Sequence, residues 1–253
     1  MKPNVRRARN RFDPTATAPF PLSRSKIDFF LECPRCFYLD RREGIERPPS
    51  MPFTLNNAVD TLLKKEFDVH RARNTAHPLM RTYGIDAVPF QHPSIEQWRT
   101  ALRRGISYHH IPTNFLVFGA IDDVWVDPKG ELMIVDYKAT AKQEKVTVAA
   151  HLYEGYKHQA EVYQWLFRKN DFKVSPTGYF VYANGKADAK AFDAKLEFDI
   201  ELIPYTGSDT WVEPAIYDLK KMLESDDIQP IGKAFGGGPC DYCTYRQSAG
   251  KTL

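Results

Sequence analysis

The apolar positions along the chain repeat at helical spacing in the first third of the sequence and at strand spacing in the middle. A helix is predicted to begin after Ser23 or Ser25, either of which can cap it, and to run into the first pair of cysteines. Apolar residues three and four positions apart predict a second helix over residues 55–67 and a shorter one over residues 94–104. The N-terminal part of the chain is therefore expected to be helical.

The middle of the chain is rich in β-branched and aromatic residues. They occupy residues 115–126 and 132–137, on either side of an Asp-Pro-Lys-Gly turn at residues 127–130, so an antiparallel hairpin is predicted. An amphipathic helix is then predicted over residues 152–167, strands over residues 178–182 and 191–203, and a last helix over residues 211–223. This order indicates an α/β fold in which helices flank a mixed central sheet.

The composition is that of a folded chain that does not enter a membrane. The 253 residues are 43% hydrophobic, which is enough to bury a core and excludes a wholly disordered chain. A mean hydropathy of −0.48 leaves no apolar run long enough to cross a bilayer. The first twelve residues are basic and polar with no apolar stretch after them, so we predict no secretory signal and expect a cytoplasmic protein.

Positive charge is concentrated at the start of the chain. The net charge is +3, but five cations precede the first acid, Asp13, so the remaining sequence is slightly acidic. Residues 1–21 are interpreted as a basic, solvated and disordered arm. Contact with nucleic acid and an organelle-targeting leader are the alternatives, although four prolines oppose an amphipathic helix there.

The four cysteines form two Cys-x-x-Cys pairs, Cys33 with Cys36 and Cys240 with Cys243. Two such pairs make a four-thiolate site, the arrangement that holds Zn²⁺ or an iron–sulfur cluster. Two separate disulfides are the alternative, but they belong to secreted proteins, and nothing in the sequence indicates secretion. A shared metal site would join the two ends of the chain.

The predicted hairpin brings two acids and a lysine together. Asp136 and Lys138 are two residues apart on one strand, so they share a face of the sheet, while Tyr137 points to the other face. A turn centred on residue 129 places Asp122 opposite or next to Asp136, and such neighbours are about 5 Å apart at Cβ. Two carboxylates that close repel each other unless they share a cation, which predicts Mg²⁺ or Mn²⁺ held by Asp122, Asp136 and the carbonyl of Tyr137.

These groups suit the hydrolysis of a phosphodiester. A divalent cation activates a water and screens the charge that builds on the phosphate, and Lys138 can orient that water or neutralise the transition state. On the predicted helix, Gln159 and Tyr163 are four residues apart and share a face, from which both can reach this site. Taken separately, an Asp-x-Lys strand also fits an exposed charged face, and Tyr163 and Gln159 also fit a core aromatic and a surface amide.

The order and spacing of three short motifs together resemble a known family. The motifs are Gly119-Ala120-Ile121-Asp122, Asp136-Tyr137-Lys138 and Gln159-Ala160-Glu161-Val162-Tyr163. They resemble the G-x-x-D, (D/E)-x-K and Q-x-x-x-Y motifs of the RecB-type branch of the PD-(D/E)xK nuclease superfamily, and the resemblance spans residues 22–246. Members of that branch, including CRISPR-associated RecB-like exonucleases, bind a four-cysteine [4Fe–4S] cluster that joins the start and end of the nuclease domain.

The resemblance implies a restriction-endonuclease-like fold in which the four-cysteine metal site joins the N- and C-terminal segments. Residues 22–253 would then form a single nuclease domain. Its parts are a helical segment at 22–110, a catalytic sheet and helix at 111–205, and a C-terminal helix and cysteine segment at 206–253.

The same resemblance implies roles for the site residues. Asp122 and Asp136 would be metal ligands, Lys138 the catalytic lysine, and Gln159 and Tyr163 accessory groups. Two features depart from the family pattern. A histidine that commonly ligates the metal from the N-terminal helix is missing, and Asp60 can take its place or be a solvated helix residue. The cysteines are arranged two plus two instead of one plus three, so Zn²⁺ stays an alternative to [4Fe–4S].

We therefore expect a Mg²⁺- or Mn²⁺-dependent DNA nuclease, an exonuclease on single strands or ends that serves DNA repair, recombination or defence, with protein partners in such a complex. The alternative is a non-catalytic nucleic-acid-binding or assembly module held together by zinc or an iron–sulfur cluster. A zinc-stabilised structural protein is the third hypothesis. The complete set of Asp122, Asp136 and Lys138 favours the enzyme.

Overall fold

The chain divides into two units in this computed structural model. The structure describes residues 7–49, 54–103, 105–142, 153–227, 229–234 and 237–250, apart from the side chain of residue 103. The first unit comprises Met1–Met51, Ser107–Phe118 and Thr210–Leu253, and the second unit comprises Pro52–Ile106 and Gly119–Asp209. Residues 1–6 of the predicted arm and residue 152 of the predicted helix lie outside the described residues.

Helices and strands alternate irregularly along the chain. Their order is β1 Phe20–Ser23, α1 Arg24–Glu32, α2 Pro34–Arg41, α3 Thr54–Arg73, α4 Pro78–Thr82, β2 Val88–Pro89, α5 Ile95–Trp98, β3 Ile106–His110, β4 Phe115–Gly119, β5 Asp123–Val126, β6 Leu132–Thr140, α6 Glu154–Lys169, β7 Thr177–Gly185, β8 Phe198–Thr206, α7 Val212–Glu224 and α8 Asp241–Gly250. Within the described ranges, no helix is both long and apolar enough to cross a bilayer.

The first unit combines a small sheet with helices. Its strand order is β1-β4-β3, and β1 runs parallel to β4 with Phe20 opposite Phe115. Helix α7 buries an apolar stripe at helical spacing, and both α1 and α2 contact it. The residues of that stripe are Val212, Ala215, Ile216, Leu219 and Leu223.

Phe12 anchors the described part of the predicted arm. Its side chain is buried and packs edge-on against Phe20 and Phe115, with ring centroids 5.4 and 6.2 Å away. Phe12 and Phe20 are buried, whereas residues 8–11 and 13–19 are exposed, and the disordered arm over residues 1–21 stays a prediction. The predicted domain boundaries themselves stay a prediction.

The second unit is built on a five-stranded sheet in the order β2-β5-β6-β7-β8. β5 and β6 are antiparallel, β6 and β7 are parallel, and β7 and β8 are antiparallel, so the sheet is mixed. A parallel pair needs a crossover connection, and α6 lies in the connection between β6 and β7. This arrangement confirms the predicted α/β class with a mixed sheet.

Helices α3 and α6 cover opposite faces of this sheet. On the α3 face, Phe67 stacks on Trp125 with ring centroids 5.4 Å apart and packs against Tyr137 of β6. On the α6 face, Ala160 packs against Phe180 of β7, which pairs in register with Asp136. The period of two along β6 therefore directs Tyr137 into the core under α3 and Asp136 toward α6.

The strand predicted over residues 115–126 is two strands in the structure. β4 ends at Gly119 and β5 begins at Asp123, and the two belong to different sheets. Near the break, a β-carbon on Gly105 would lie 2.0 Å from the carbonyl oxygen of Gly119, so a glycine is required for this backbone approach. Strand propensity alone cannot reveal such a break, because it depends on which strands pair.

Other elements also differ from the sequence pattern. The pattern does not predict β1, β3 or α8, and the helix expected over residues 94–104 is only α5 followed by a 3₁₀ turn at Ala101–Arg103. These elements are short and take their conformation from strand pairing and from packing, which local periodicity does not record.

Replacing Phe67 with alanine tests the packing of α3 on the sheet. We expect a loss of about 3–5 kcal/mol in the free energy of unfolding, because Phe67 is fully buried among aromatic rings. The matched control is Leu62→Ala on the same helix, which we expect to change the free energy by about 0.5 kcal/mol or less, because Leu62 is 63% exposed. Urea unfolding of both variants measures the difference, and equal losses would contradict the packing described.

Candidate active site and thiolate site

Asp122 lies in the bend just before β5. Asp123 pairs with Val135 across the hairpin, so residues 122 and 136 come next in the same register, as the sequence predicts. The Asp122 carboxylate accepts a hydrogen bond from the backbone N–H of Tyr137 at 3.0 Å and one from Lys64 Nζ at 3.2 Å. The bend thus directs this carboxylate toward the start of the Asp136-Tyr137-Lys138 motif and toward helix α3.

Asp60 and Lys64 extend the candidate site onto α3. They are four residues apart, and Lys64 Nζ donates to Asp60 Oδ2 at 2.9 Å. Burial, and then the charge of Asp122, raise the pKa of Asp60. Burial acts to lower the pKa of Lys64, but the carboxylates of Asp122 and Asp60 outweigh it and raise this pKa. An ammonium ion therefore sits between two carboxylates that repel each other.

Asp136 and Lys138 form an ion pair on the face of the sheet that α6 covers. Asp136 is 2% exposed, so its charge is nearly desolvated. Lys138 Nζ also donates to Gln159 Oε1 at 3.4 Å and lies over the ring of Tyr156, 4.3 Å from its centroid. Gln159 and Tyr156 of α6 together hold the ammonium group beside Asp136.

Tyr163 contacts the loop that carries Asp122. Its side chain is 4% exposed, and its hydroxyl donates to the carbonyl oxygen of Ala120. The hydroxyl of a buried tyrosine usually has a hydrogen-bond partner, and here the partner is a backbone carbonyl whose position the bond fixes. The structure therefore brings Tyr163 to the candidate site as a support for the bend at residues 120–122.

Asp123, the neighbour of Asp122, lies in a buried ionic cluster that the sequence does not reveal. It is fully buried, forms an ion pair with Arg71, and accepts from Arg99 Nη2 at 3.0 Å. The hydroxyl of Tyr137 donates to it at 2.7 Å, and burial followed by the charge of Asp123 raises the pKa of that hydroxyl. Asp123 thus has a structural role, whereas Asp122 lies outside this cluster and belongs to the candidate active site.

Sequence reasoning missed Lys64, Tyr156 and the cluster around Asp123. The spacing of Asp60 and Lys64 was a usable signal, because residues four apart on a helix are neighbours. The arginines of the cluster are 52 and 24 residues away from Asp123 along the chain, and no local pattern relates such residues.

The carboxylates of Asp60, Asp122 and Asp136 offer the oxygen ligands that Mg²⁺ prefers. Asp60 Oδ1 is buried and has no hydrogen-bond partner among the described residues. The carboxylates of Asp60, Asp122 and Asp136 do not all lie within 4.8 Å of one another in the described part of the chain. Mg²⁺ needs only one or two of them, because it keeps several waters and completes its coordination with substrate phosphate oxygens.

The four cysteines of the first unit form the thiolate site, Cys33, Cys36, Cys240 and Cys243. Their sulfur atoms all lie within 4.8 Å of one another, and the four thiols are free and buried. This set can bind a metal ion. The cysteine pairs predicted from their spacing therefore do come together, and they join the start and the end of the first unit.

Backbone N–H groups and one arginine surround these thiols. Cys33 Sγ accepts from the N–H groups of Cys36 at 3.5 Å and Gly232 at 3.3 Å. Burial acts to raise the pKa of Cys33, but these hydrogen bonds outweigh it and lower the pKa to about 7. Arg47 Nη2 lies 3.3 Å from Cys240 Sγ. Burial raises the pKa of Cys36 to about 11 and raises the pKa of Cys243 well above its usual range, so the thiolate form is favoured at Cys33 and not at these two thiols.

Comparison with known proteins gives a family match over most of the chain. A sequence model of the PD-(D/E)XK nuclease superfamily matches residues 54–248, which include every residue of the candidate active site. No curated protein sequence matches the chain. Among solved structures, the "Crystal structure of SSO0001" matches with 15% sequence identity over 45% of this chain and 45% of that chain, with a TM-score of 0.29. The chain thus spans less than half the length of that structure.

The chain belongs to the PD-(D/E)XK nuclease superfamily, because the family match covers most of its length. Membership implies a nuclease, and nucleases of this superfamily usually use a divalent metal. The resemblance found in the sequence is therefore confirmed for the superfamily, while the RecB-type branch stays a prediction.

The structural role of Asp123 can be tested by mutation. We expect Asp123→Asn to lower the free energy of unfolding by about 3 kcal/mol, because it leaves Arg71 and Arg99 without their fully buried carboxylate and with the part-exposed Asp68 as the acidic partner that they share. The control is Asp199→Asn, whose side chain is 64% exposed and whose loss we expect to cost about 0.5 kcal/mol or less. Thermal unfolding compares them, and a stable Asp123→Asn protein would refute the structural role.

Proposed function

We propose that this protein is a Mg²⁺- or Mn²⁺-dependent DNA nuclease of the RecB-type branch, acting as an exonuclease on single strands or ends. The observation that carries the proposal is the Asp136–Lys138 ion pair with its contact to Gln159, together with the hydrogen bond from the N–H of Tyr137 to Asp122. Superfamily membership supports a nuclease. The motif resemblance supports the branch and the exonuclease activity.

Asp122, Asp136 and the carbonyl of Tyr137 would hold the cation. When it is bound, the cation supplies an activated water and screens the negative charge at the phosphate. Lys138 orients that water or neutralises the charge on the scissile phosphate, since its ammonium group already lies next to Asp136. Gln159 accepts a hydrogen bond from Lys138 and restricts where the ammonium points.

Three further residues support these groups. Tyr156 stabilises the Lys138 ammonium through its ring face. Tyr163 holds the carbonyl of Ala120 and thereby the bend that carries Asp122. Asp60 is proposed as an additional ligand on α3, in place of the histidine of related nucleases.

We further propose a role in DNA repair, recombination or defence, together with protein partners in such a complex. The resemblance to RecB-type and CRISPR-associated nucleases supports this role, because those proteins process DNA ends. A non-catalytic module that binds DNA through the same fold is the outcome to be distinguished.

Two substitutions test catalysis. We expect Asp136→Asn and Lys138→Ala each to reduce Mn²⁺-dependent degradation of end-labelled DNA by about 10³-fold or more, because the first removes a proposed ligand of the cation and the second removes the ammonium group proposed to act at the phosphate. The controls are Asp199→Asn and Lys173→Ala, whose side chains are each 64% exposed and which we expect to cleave normally.

The same assay tests the substrate. Linear single-stranded, linear double-stranded and closed circular DNA are compared, and we expect cleavage only where an end is present. Cleavage of closed circular DNA would contradict the proposed exonuclease activity. If the protein binds DNA but cleaves it with neither Mg²⁺ nor Mn²⁺, and Asp136→Asn leaves the binding unchanged, the protein is a non-catalytic binding module.

Lys64 provides a test of the cation site that does not depend on cleavage. Its ammonium neutralises Asp60 and Asp122 when no cation is bound, so Lys64→Met should lower the melting temperature of the metal-free protein. Without this competing charge, we expect Mn²⁺ to bind about tenfold more tightly, measured by titration calorimetry. The control is Lys65→Met, the exposed neighbour on the same helix. Weaker Mn²⁺ binding by Lys64→Met would contradict a cation site beside Asp60 and Asp122.

A further inference from the structure

We propose that the thiolate site binds a single zinc ion in tetrahedral geometry, and not the [4Fe–4S] cluster that the resemblance to RecB-type nucleases implies. The proposal concerns the first unit and is independent of the proposed nuclease activity. It rests on the separation of the four sulfur atoms, on the backbone around them, and on the charge of Arg47.

The sulfur atoms lie at the separations of a site for one ion. Cys36 Sγ is 3.5 Å from Cys243 Sγ and 3.7 Å from Cys240 Sγ, and Cys33 Sγ is 3.7 Å from Cys243 Sγ. With Zn–S bonds of about 2.3 Å, a tetrahedral ion holds its sulfur ligands about 3.8 Å apart. These distances are also far too long for disulfides, whose sulfur atoms are about 2.05 Å apart.

An iron–sulfur cube requires a wider arrangement. In a [4Fe–4S] cluster each thiolate binds a different iron at a corner of the cube, so the sulfur ligands are roughly 6 Å apart. No pair in the thiolate site exceeds 4.8 Å. The residues present therefore do not fit the cluster, although their thiolate chemistry would accept either metal.

The backbone around Cys33 opposes expansion of the site. Gly232 donates its N–H to Cys33 Sγ at 3.3 Å, and a β-carbon on Gly232 would lie 2.3 Å from the Cα of Cys33 and 1.9 Å from the carbonyl oxygen of Glu32. The two chain segments are thus in direct backbone contact. The N–H of Cys240 also donates to the carbonyl of Gly232 at 2.9 Å, which ties the second cysteine pair to the same contact. Moving Cys33 Sγ outward would break its hydrogen bond to Gly232, and moving the two cysteine segments apart would break the backbone bond from Cys240 to Gly232.

Both cysteine pairs lie where a helix begins. Cys33 is the N-cap of α2, with Pro34 as its first residue, and Cys240 directly precedes α8. In each pair the second cysteine lies in the first turn of the helix, so both sulfurs of a pair turn toward one point. The partial positive charge at a helix N-terminus favours thiolates there.

Arg47 compensates part of the charge that remains, because it also pairs with Glu32 Oε1 at 2.7 Å. Four thiolates and one Zn²⁺ carry a net charge of −2, which is costly in a buried site. The Arg47 guanidinium lies 3.3 Å from Cys240 Sγ and is held between the rings of Phe29 and Tyr242, each 4.4 Å from its central carbon. This arrangement makes Arg47 a positioning residue for the thiolates.

The experiment measures the metal content of the whole 253-residue chain. The chain is produced with both iron and zinc in the medium and purified anaerobically, and zinc, iron and acid-labile sulfide are determined. We expect about one zinc per chain, no sulfide and a colourless protein. Replacement of zinc by Co²⁺ should give the intense visible d–d absorption of a tetrahedral four-thiolate site. About four irons and four sulfides per chain with a brown colour would overturn the proposal, as would a protein that binds neither Zn²⁺ nor Co²⁺.

Variants separate this proposal from the nuclease proposal. Cys36→Ser and Cys240→Ser should lose zinc, while the control Tyr245→Ala, an exposed residue of α8, should keep one zinc per chain. Because the cysteine variants can fail to fold, Arg47→Met provides a milder test, with zinc affinity expected to fall about tenfold in competition with a chromophoric chelator. Asp136→Asn should retain full zinc content, and loss of zinc there would contradict two independent sites.

Discussion

A buried carboxylate with two guanidinium partners organises the second unit. Asp123 ties β5 to α3 through Arg71, to the segment after α5 through Arg99, and to β6 through the hydroxyl of Tyr137. Asp68 pairs with both arginines as well, so the buried charges form one network in which each group compensates the desolvation of its neighbours. Because Asp123 is committed to this cluster, the next residue, Asp122, is turned out of the strand and toward the candidate active site.

One strand serves both the core and the candidate site. Along β6, Tyr137 packs under α3 while Asp136 and Lys138 face α6 on the other side of the sheet. The alternation means that the proposed catalytic groups lie on a strand whose register the apolar residues hold, since a shift by one residue would exchange the two faces. Stability and proposed chemistry therefore depend on the same pairing of β5, β6 and β7.

The two units use ligands of opposite chemical character. The thiolates of the first unit select zinc or iron, whereas the carboxylates of the second unit select hard cations such as Mg²⁺ and Mn²⁺. The two proposed sites therefore do not compete for one metal. The thiolate site also joins segments some two hundred residues apart, and a bound ion would contribute its binding energy to the folding of the first unit.

The sequence by itself determined what depends on local spacing. The turn at residues 127–130 sets the hairpin register, and the period of two along β6 puts Asp136 and Tyr137 on opposite faces of the sheet. The Cys-x-x-Cys spacing predicts a metal site. Tertiary structure alone decided that Asp122 and not Asp123 is available, because the choice depends on arginines far away in the sequence. It also decided the distances between the four sulfurs, because these depend on how tightly two distant backbone segments pack.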